Sequence, residues 1–271
     1  MILNSSIPTL KYGYAVLKNV IPTSFVSARA SAQYYFLHPS DYKHLHQYPY
    51  NLELGYRDLI HKEMFMIRES TLPSELSPCI HLATDLHDIS LQCLEAVSKE
   101  LQWEDHLLSD LVDVDALPSF NIASSILQLI HYRKTNNITH GIACDVHQDI
   151  SLLTLICHTG VPALEIYDYL NNTDWINIES IQGMHDVIVL VGEALSLISN
   201  NYFLPATHRV RAVHQSRLAI IYQLRFKNDA VIDSQLFETS LTKPFKHPFR
   251  ITGCNYLKME KSTRQSVNGS Y

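Results

Sequence analysis

No stretch of this sequence strings together the roughly 18 apolar residues that a membrane-spanning helix needs, so no span is expected. Basic residues are scattered too. There is no Lys/Arg block and the formal net charge is −6, so nucleic acid is not an expected partner: a chain that grips phosphate backbones carries a basic stripe. Cysteine is sparse and unclustered. Cys79, Cys93, Cys144, Cys157 and Cys254 form no C-x-x-C pair, which argues against a disulfide framework and a structural zinc site, and for reduced thiols in a cytoplasmic protein. The start, MILNSSIPTLKYGY, has no basic segment leading into a long apolar run, so no secretory leader is expected. Internal repeats and low-complexity linkers are absent. Gly192 in VGEAL is a single glycine before Glu193 and reads as a turn, not as a phosphate loop.

What remains is an ordinary globular composition. The 271 residues are 46% hydrophobic and 18% charged, enough to bury a substantial core. YGYAVLKNV (12–20) reads as a strand. The segment after it has Pro22 and Thr23 at a helix start and Pro39 past its end. A clearer helix covers about 80 to 102, where Leu82, Leu86, Ile89, Cys93, Val97 and Leu101 fall on one apolar stripe. From about 121 the texture changes to short β-rich runs: SSILQLIHY, ISLLTLICH, ALEIYDY, DWINIES, DVIVLVG, ALSLIS, HRVRAV and RLAIIYQLRF. Many short strands without intervening helices point to a sandwich or jelly roll, not to a parallel α/β sheet. The tail after 230 carries a weak helix at most and a polar, frayed end.

Chemistry enters at DVHQDISLLTLI (145–156). Strand residues two apart project to the same side, so His147 and Asp149 would point together if a strand begins here. Two histidines and one carboxylate on one face suit iron(II) and leave open coordination positions. The third ligand must come from later in the chain, where His158, His185, His208 and His214 are candidates. His158 and His185 lie in turn-like stretches, whereas His208 starts HRVRAV. Nine residues on, Arg217 opens an apolar strand. A cation there is costly unless it meets an anion, and the carboxylate of a bound cosubstrate would serve.

The ordered set H-x-D, H and R-x-A resembles the isopenicillin N synthase-like branch of the iron(II)/2-oxoglutarate-dependent oxygenases. LQLIHY before it and DVIVLVGEALSLISNNYFLPATHRV and RLAIIYQLR after it match in order and spacing, and the leader YGYAVLKNVIPTSFVSARASAQYYFLHP is similar as well. The resemblance implies a mainly β fold with helices: a single domain, 1–271, with a helical N-terminal layer over 1–120. A double-stranded β-helix core (jelly-roll, cupin-like) would occupy 121–228, with a C-terminal extension over 229–271. It implies that His147, Asp149 and His208 hold Fe(II). Arg217 would take the distal carboxylate of 2-oxoglutarate through its bidentate fork, with Tyr132 in contact with cosubstrate or substrate. The activity it implies is O2-dependent C–H oxidation of a small-molecule metabolite by a monomeric enzyme. Because Asp149 is retained, hydroxylation, desaturation or ring closure is expected over halogenation.

Two positions depart from the family. Ala219 stands where serine or threonine is usual, and Ile130 where asparagine is frequent. Losing a hydrogen bond to a charged group costs roughly 1.5–3 kcal/mol, so cosubstrate binding should weaken without vanishing. Ala219 also leaves room for a different keto acid, or for an iron oxidase that uses O2 without one. A non-catalytic ligand-binding member of the fold and a zinc-type hydrolase are the competing classes. Arg209 and Arg211 are expected on a solvated face, and His87 in a structural role.

Overall fold

The computed structural model describes residues 7–118, 121–134, 141–170 and 174–259; the polar C-terminal end expected to fray lies outside them. Helix α1 (Ile7–Leu10) leads to strand β1 (Tyr14–Leu17), helices α2 (Ser24–Leu37) and α3 (Ser40–His44), the hairpin β2 (Gly55–Asp58) and β3 (Lys62–Ile67), and the long helix α4 (Pro78–Leu101). The strands of the second half are β4 (Ile126–Tyr132), β5 (Ile142–His147), β6 (Leu153–Cys157), β7 (Leu164–Tyr167), β8 (Trp175–Asn177), β9 (Val187–Val191), β10 (His208–Arg211) and β11 (Arg217–Leu224). Helix α5 (Glu193–Ile198) sits between β9 and β10, and β12 (Val231–Asp233) and β13 (Arg250–Thr252) form a small sheet of their own.

One sheet runs β1-β9-β6-β11-β4-β3-β2 and the other β5-β10-β7-β8. From β4 to β11 the chain passes repeatedly between them, which is the jelly-roll pattern. The alternation along β11 explains how they face each other. Leu218, Ile220, Tyr222 and Leu224 point outward into the larger core beneath the helices. Ala219 and Ile221 point inward to a second core between the sheets, with Ile130 and Tyr132 from β4 and Ile188 and Leu190 from β9. The outward face is covered by α4, whose stripe from Leu82 to Leu101 is buried as its spacing requires. Pro78 opens that helix, and Gln102, left-handed at φ 57°, ends it. His87 on α4 is buried and meets the Tyr222 hydroxyl at 2.9 Å, a structural contact between helix and sheet.

Three expectations are corrected. The layer over 1–120 holds more than the one strand expected at 12–20, which is β1: β2 and β3 also join the larger sheet, at its opposite edge. ALSLIS is not a strand. Its apolar run was too short to separate the two periods, and Ala194, Leu195 and Ile198 bury one face of α5. The tail after 230 carries the β12–β13 pair, in register from Val231 opposite Thr252 to Asp233 opposite Arg250.

Candidate metal centre

Strand β5 ends at His147, and its partner β10 begins at His208; the two residues are directly opposite in the register. Their rings stand 4.2 Å apart between centroids. Asp149 is not on the strand with His147, as the H-x-D spacing suggested. It lies in the turn between β5 and β6 and reaches the histidines from there. Its Oδ1 is 3.8 Å from His147 Nε2 and its Oδ2 is 3.9 Å from His208 Nε2. One ligand atom from each of the three residues lies within 4.8 Å of the others. Each histidine donates Nδ1–H to a backbone carbonyl: His147 to Asp145 at 2.7 Å, His208 to Ala206 at 3.0 Å. That fixes the tautomer and turns Nε2 toward the carboxylate, the arrangement metal-ligating histidines adopt. Among the described residues, His158, His185 and His214 do not join this group.

Asp149 is positioned by partners that its own stretch of sequence does not reveal. Thr154 on β6 and Gln223 on β11 are opposite each other in the register. Thr154 donates to Asp149 Oδ2 at 2.7 Å, and Gln223 Nε2 donates to Oδ1 at 2.9 Å. Behind Gln223, Arg225 donates to its Oε1 at 2.6 Å and to Glu53 at 3.2 Å. Burial alone would raise the Asp149 pKa, but the imidazoles of His208 and His147, the Thr154 hydroxyl and Arg225 reverse that and hold it below the ordinary carboxylate value. The donor set and the locked tautomers therefore fit a divalent cation. Replacing Gln223 with leucine is expected to weaken metal affinity about 10–100-fold, read as a Co(II) titration of the protein. Unchanged affinity would mean that Thr154 alone orients the carboxylate.

The turn carrying Asp149 is pinned from outside. Glu193 N–H donates to Asp149 O at 2.7 Å, Gly192 N–H to Leu152 O at 3.0 Å, and Ala194 N–H to Ser151 O at 3.1 Å. Gly192 is required by close approach: a Cβ there would stand 1.9 Å from Ser151 O. Gly192→Ala must push the ligand turn away. It is expected to cost roughly 1–3 kcal/mol in urea unfolding and to weaken metal binding with it. An alanine variant of wild-type stability would show that the turn yields freely.

The three residues open on a cavity of about 100 Å³, whose lining also includes Met64, Ile130, Ile156, Tyr132, Arg217 and Lys62. Arg217 is where the structure departs most from expectation, because it already has a protein carboxylate. Its Nη2 donates to Glu179 Oε1 at 2.7 Å and its Nε to Val161 O at 3.1 Å, both side chains of the ion pair being 2% exposed. Glu179 is itself held by Thr159 and by the N–H groups of Ala163 and Leu164. Burial would raise the Glu179 pKa, but Arg217 and these N–H groups bring it below the usual range. Arg217 Nη1 remains buried with no protein partner. Its guanidinium carbon lies 5.1 Å from the Tyr132 ring centroid. Tyr132 is buried, which pushes its phenol pKa up and keeps it protonated. Ala219 is fully buried in the inner core, brings no hydroxyl, and is not among the residues lining the cavity. Arg209 and Arg211 pair with Glu165 outside the cavity, at 2.8 and 3.5 Å. Lys62, Thr154, Glu179 and Gln223 are the site residues that sequence reasoning missed.

Comparison with known proteins agrees with this geometry. Residues 123–226 match the 2OG-Fe(II) oxygenase superfamily. Gibberellin 3-beta-dioxygenase 2 of Arabidopsis thaliana is 24% identical over 142 residues, which is 52% of this chain and 37% of that protein. The chain thus spans little more than a third of that relative's length. Among solved structures, a full-length Neurospora crassa protein in complex with alpha-KG and 5-formyluracil superposes with a TM-score of 0.77 at 18% identity, covering 94% of this chain and 87% of the other. The rice dioxygenase for auxin oxidation superposes at 0.74 and 17% identity, with 94% and 87% covered. At these identities the structural likeness establishes the jelly-roll fold. No helix among the described residues is long and apolar enough to cross a membrane.

Proposed function

We propose, on the premise that the chain belongs through residues 123–226 to the 2OG-Fe(II) oxygenase superfamily, that it is an Fe(II)- and 2-oxoglutarate-dependent dioxygenase oxidising a C–H bond of a small-molecule metabolite. The observation that carries this reading is the convergence of ligand atoms of His147, Asp149 and His208 within 4.8 Å of one another on a cavity that Arg217 also lines. Iron(II) held by the three side chains would supply dioxygen activation, coupled to oxidation of the keto acid to succinate and carbon dioxide.

The chain's own residues do the rest. Thr154 and Gln223 hold Asp149 so that its oxygens stay turned toward the histidines. Arg217 Nη1, unpartnered and buried, hydrogen-bonds the distal carboxylate of 2-oxoglutarate, while Glu179 fixes the guanidinium in place. Tyr132 offers a protonated hydroxyl beside it. Met64, Ile130 and Ile156 keep the reacting end dry. The retained Asp149 favours hydroxylation, desaturation or ring closure. We place the chain in the isopenicillin N synthase-like branch and take it to act as a monomer in the cytoplasm, a setting that its five unpaired cysteines suit.

One observation favours a second reading. Glu179 already neutralises Arg217 and Ala219 adds no hydroxyl, so an iron oxidase using O2 without a keto acid fits the same residues. Oxygen uptake by the iron-loaded protein separates the two. Uptake that needs 2-oxoglutarate and yields equimolar succinate supports the dioxygenase. Uptake independent of any keto acid supports the oxidase.

A further inference from the structure

Lys62, Tyr132 and Arg217 are abreast on three neighbouring strands. Tyr132 on β4 is directly opposite Lys62 on β3 and directly opposite Arg217 on β11, so all three project from the same face of the sheet into the cavity. The Lys62 ammonium is 5.5 Å from the Tyr132 ring centroid. It also crosses to the other sheet, reaching 3.5 Å from the Cys144 thiol on β5, three residues before His147. Lys62 therefore lines the cavity and links the two sheets across it.

The charges in this space are unequal. Arg217 is matched by Glu179, and Asp149 by the metal it would share with His147 and His208. Lys62 has no carboxylate within ion-pair distance among the described residues; its contacts there are a thiol and an aromatic face. Lys62 is half-buried at the cavity wall, so its ammonium is placed to meet an anion that enters the cavity. The buried, unpartnered Nη1 of Arg217 points to the same kind of guest. We propose that Lys62 is a carboxylate-binding residue of this cavity and supplies the net positive charge that Glu179 withdraws from Arg217. This rests on the dioxygenase reading above. Two sources share the chemistry: the distal carboxylate of the keto acid cosubstrate, or a carboxylate on the substrate.

The test compares wild type, Lys62→Met and Lys62→Arg, each first checked for an unchanged circular dichroism spectrum and melting temperature. Anaerobic titrations of the Fe(II)-loaded proteins with 2-oxoglutarate and with pyruvate, followed by the visible charge-transfer band, read the cosubstrate arm. If Lys62 binds the distal carboxylate, Lys62→Met raises the 2-oxoglutarate Kd roughly 10- to 100-fold. The Kd of pyruvate, which lacks that carboxylate, stays put, and Lys62→Arg recovers most of the loss. The substrate arm uses Co(II)-loaded protein and its visible spectrum, with phenylacetate, cinnamate and octanoate beside their primary amides. If Lys62 reads the substrate, wild type prefers acid over amide by about tenfold or more and Lys62→Met loses the preference. The proposal is overturned if neither arm distinguishes Lys62→Met from wild type. Absence of a band with either keto acid in iron-loaded wild type instead counts against the dioxygenase reading, and the Co(II) arm still decides the role of Lys62.

Discussion

Alanine at His208 is expected to abolish Fe(II)-dependent turnover and to lower iron affinity by more than about 100-fold, since even partners outside the ligand set are worth 10–100-fold. The cause is geometric. His208 is directly opposite His147 across the β5–β10 pair, and its Nδ1 is committed to Ala206 O, so no rotation of a neighbour replaces its Nε2. His147 and Asp149 alone leave two ligands on one side of the ion, too few to hold it against water. Metal content after anaerobic reconstitution and oxygen uptake measure the effect together. Stability should change little, because removing a side chain that ends at a cavity leaves the inner core intact. Retained iron and full activity in His208→Ala would remove the ligand set from the account.

Leucine at Arg217 should damage both folding and binding, and the two can be separated. Arg217 and Glu179 are each 2% exposed, so losing the cation strands a buried carboxylate, an effect worth roughly 3–5 kcal/mol. The pH dependence follows from the direction of the Glu179 shift. In wild type its carboxyl is held low, so the pair's contribution is present above the ordinary carboxylate pKa and is lost as pH falls through the lowered value. Without Arg217, burial, which raises that pKa, is opposed only by the remaining hydrogen bonds, so the variant's deficit is expected to be small in acid and to grow as pH rises through the carboxylate range. A double change, Arg217→Leu with Glu179→Leu, should recover part of the stability, because it removes the stranded buried charge, while the N–H groups of Ala163 and Leu164 lose their acceptor. It should not recover 2-oxoglutarate binding, which is expected to fall roughly 10–100-fold with the loss of Nη1. A double variant with wild-type 2-oxoglutarate affinity would place the distal carboxylate elsewhere.

The contrast between these two residues shows what was legible in the sequence. His147, Asp149 and His208 could be read because their order and the strand texture around them are local signals. The helix at 80–102 was legible because it buries one repeating stripe, and the strands ISLLTLICH, DVIVLVG and RLAIIYQLRF because each is a short continuous apolar run, buried on both faces. Strand β5 gave no such signal, since IACDVH is mostly half-buried or exposed and does not alternate. The strands β2 and β3 lie among turn-like residues and are held by pairing, β3 with β4 and β2 with β3, more than by their own composition. Glu179 was hidden because it meets Arg217 from 38 residues away, out of a stretch that reads only as strand and turn. Gln223 and Thr154 became visible only through the register that sets β11 against β6, and Lys62 only through the register of β3 against β4. Sequence periodicity gives the face a residue occupies, whereas strand pairing decides whom it meets there.

The most direct measurement is an anaerobic titration of the Fe(II)-loaded protein with 2-oxoglutarate, watching for a visible metal-to-ligand charge-transfer band. The account predicts a saturable band that disappears in His208→Ala and shifts to higher 2-oxoglutarate concentration in the Arg217→Leu, Glu179→Leu double variant. Iron bound at full occupancy with no band at any 2-oxoglutarate concentration would contradict it.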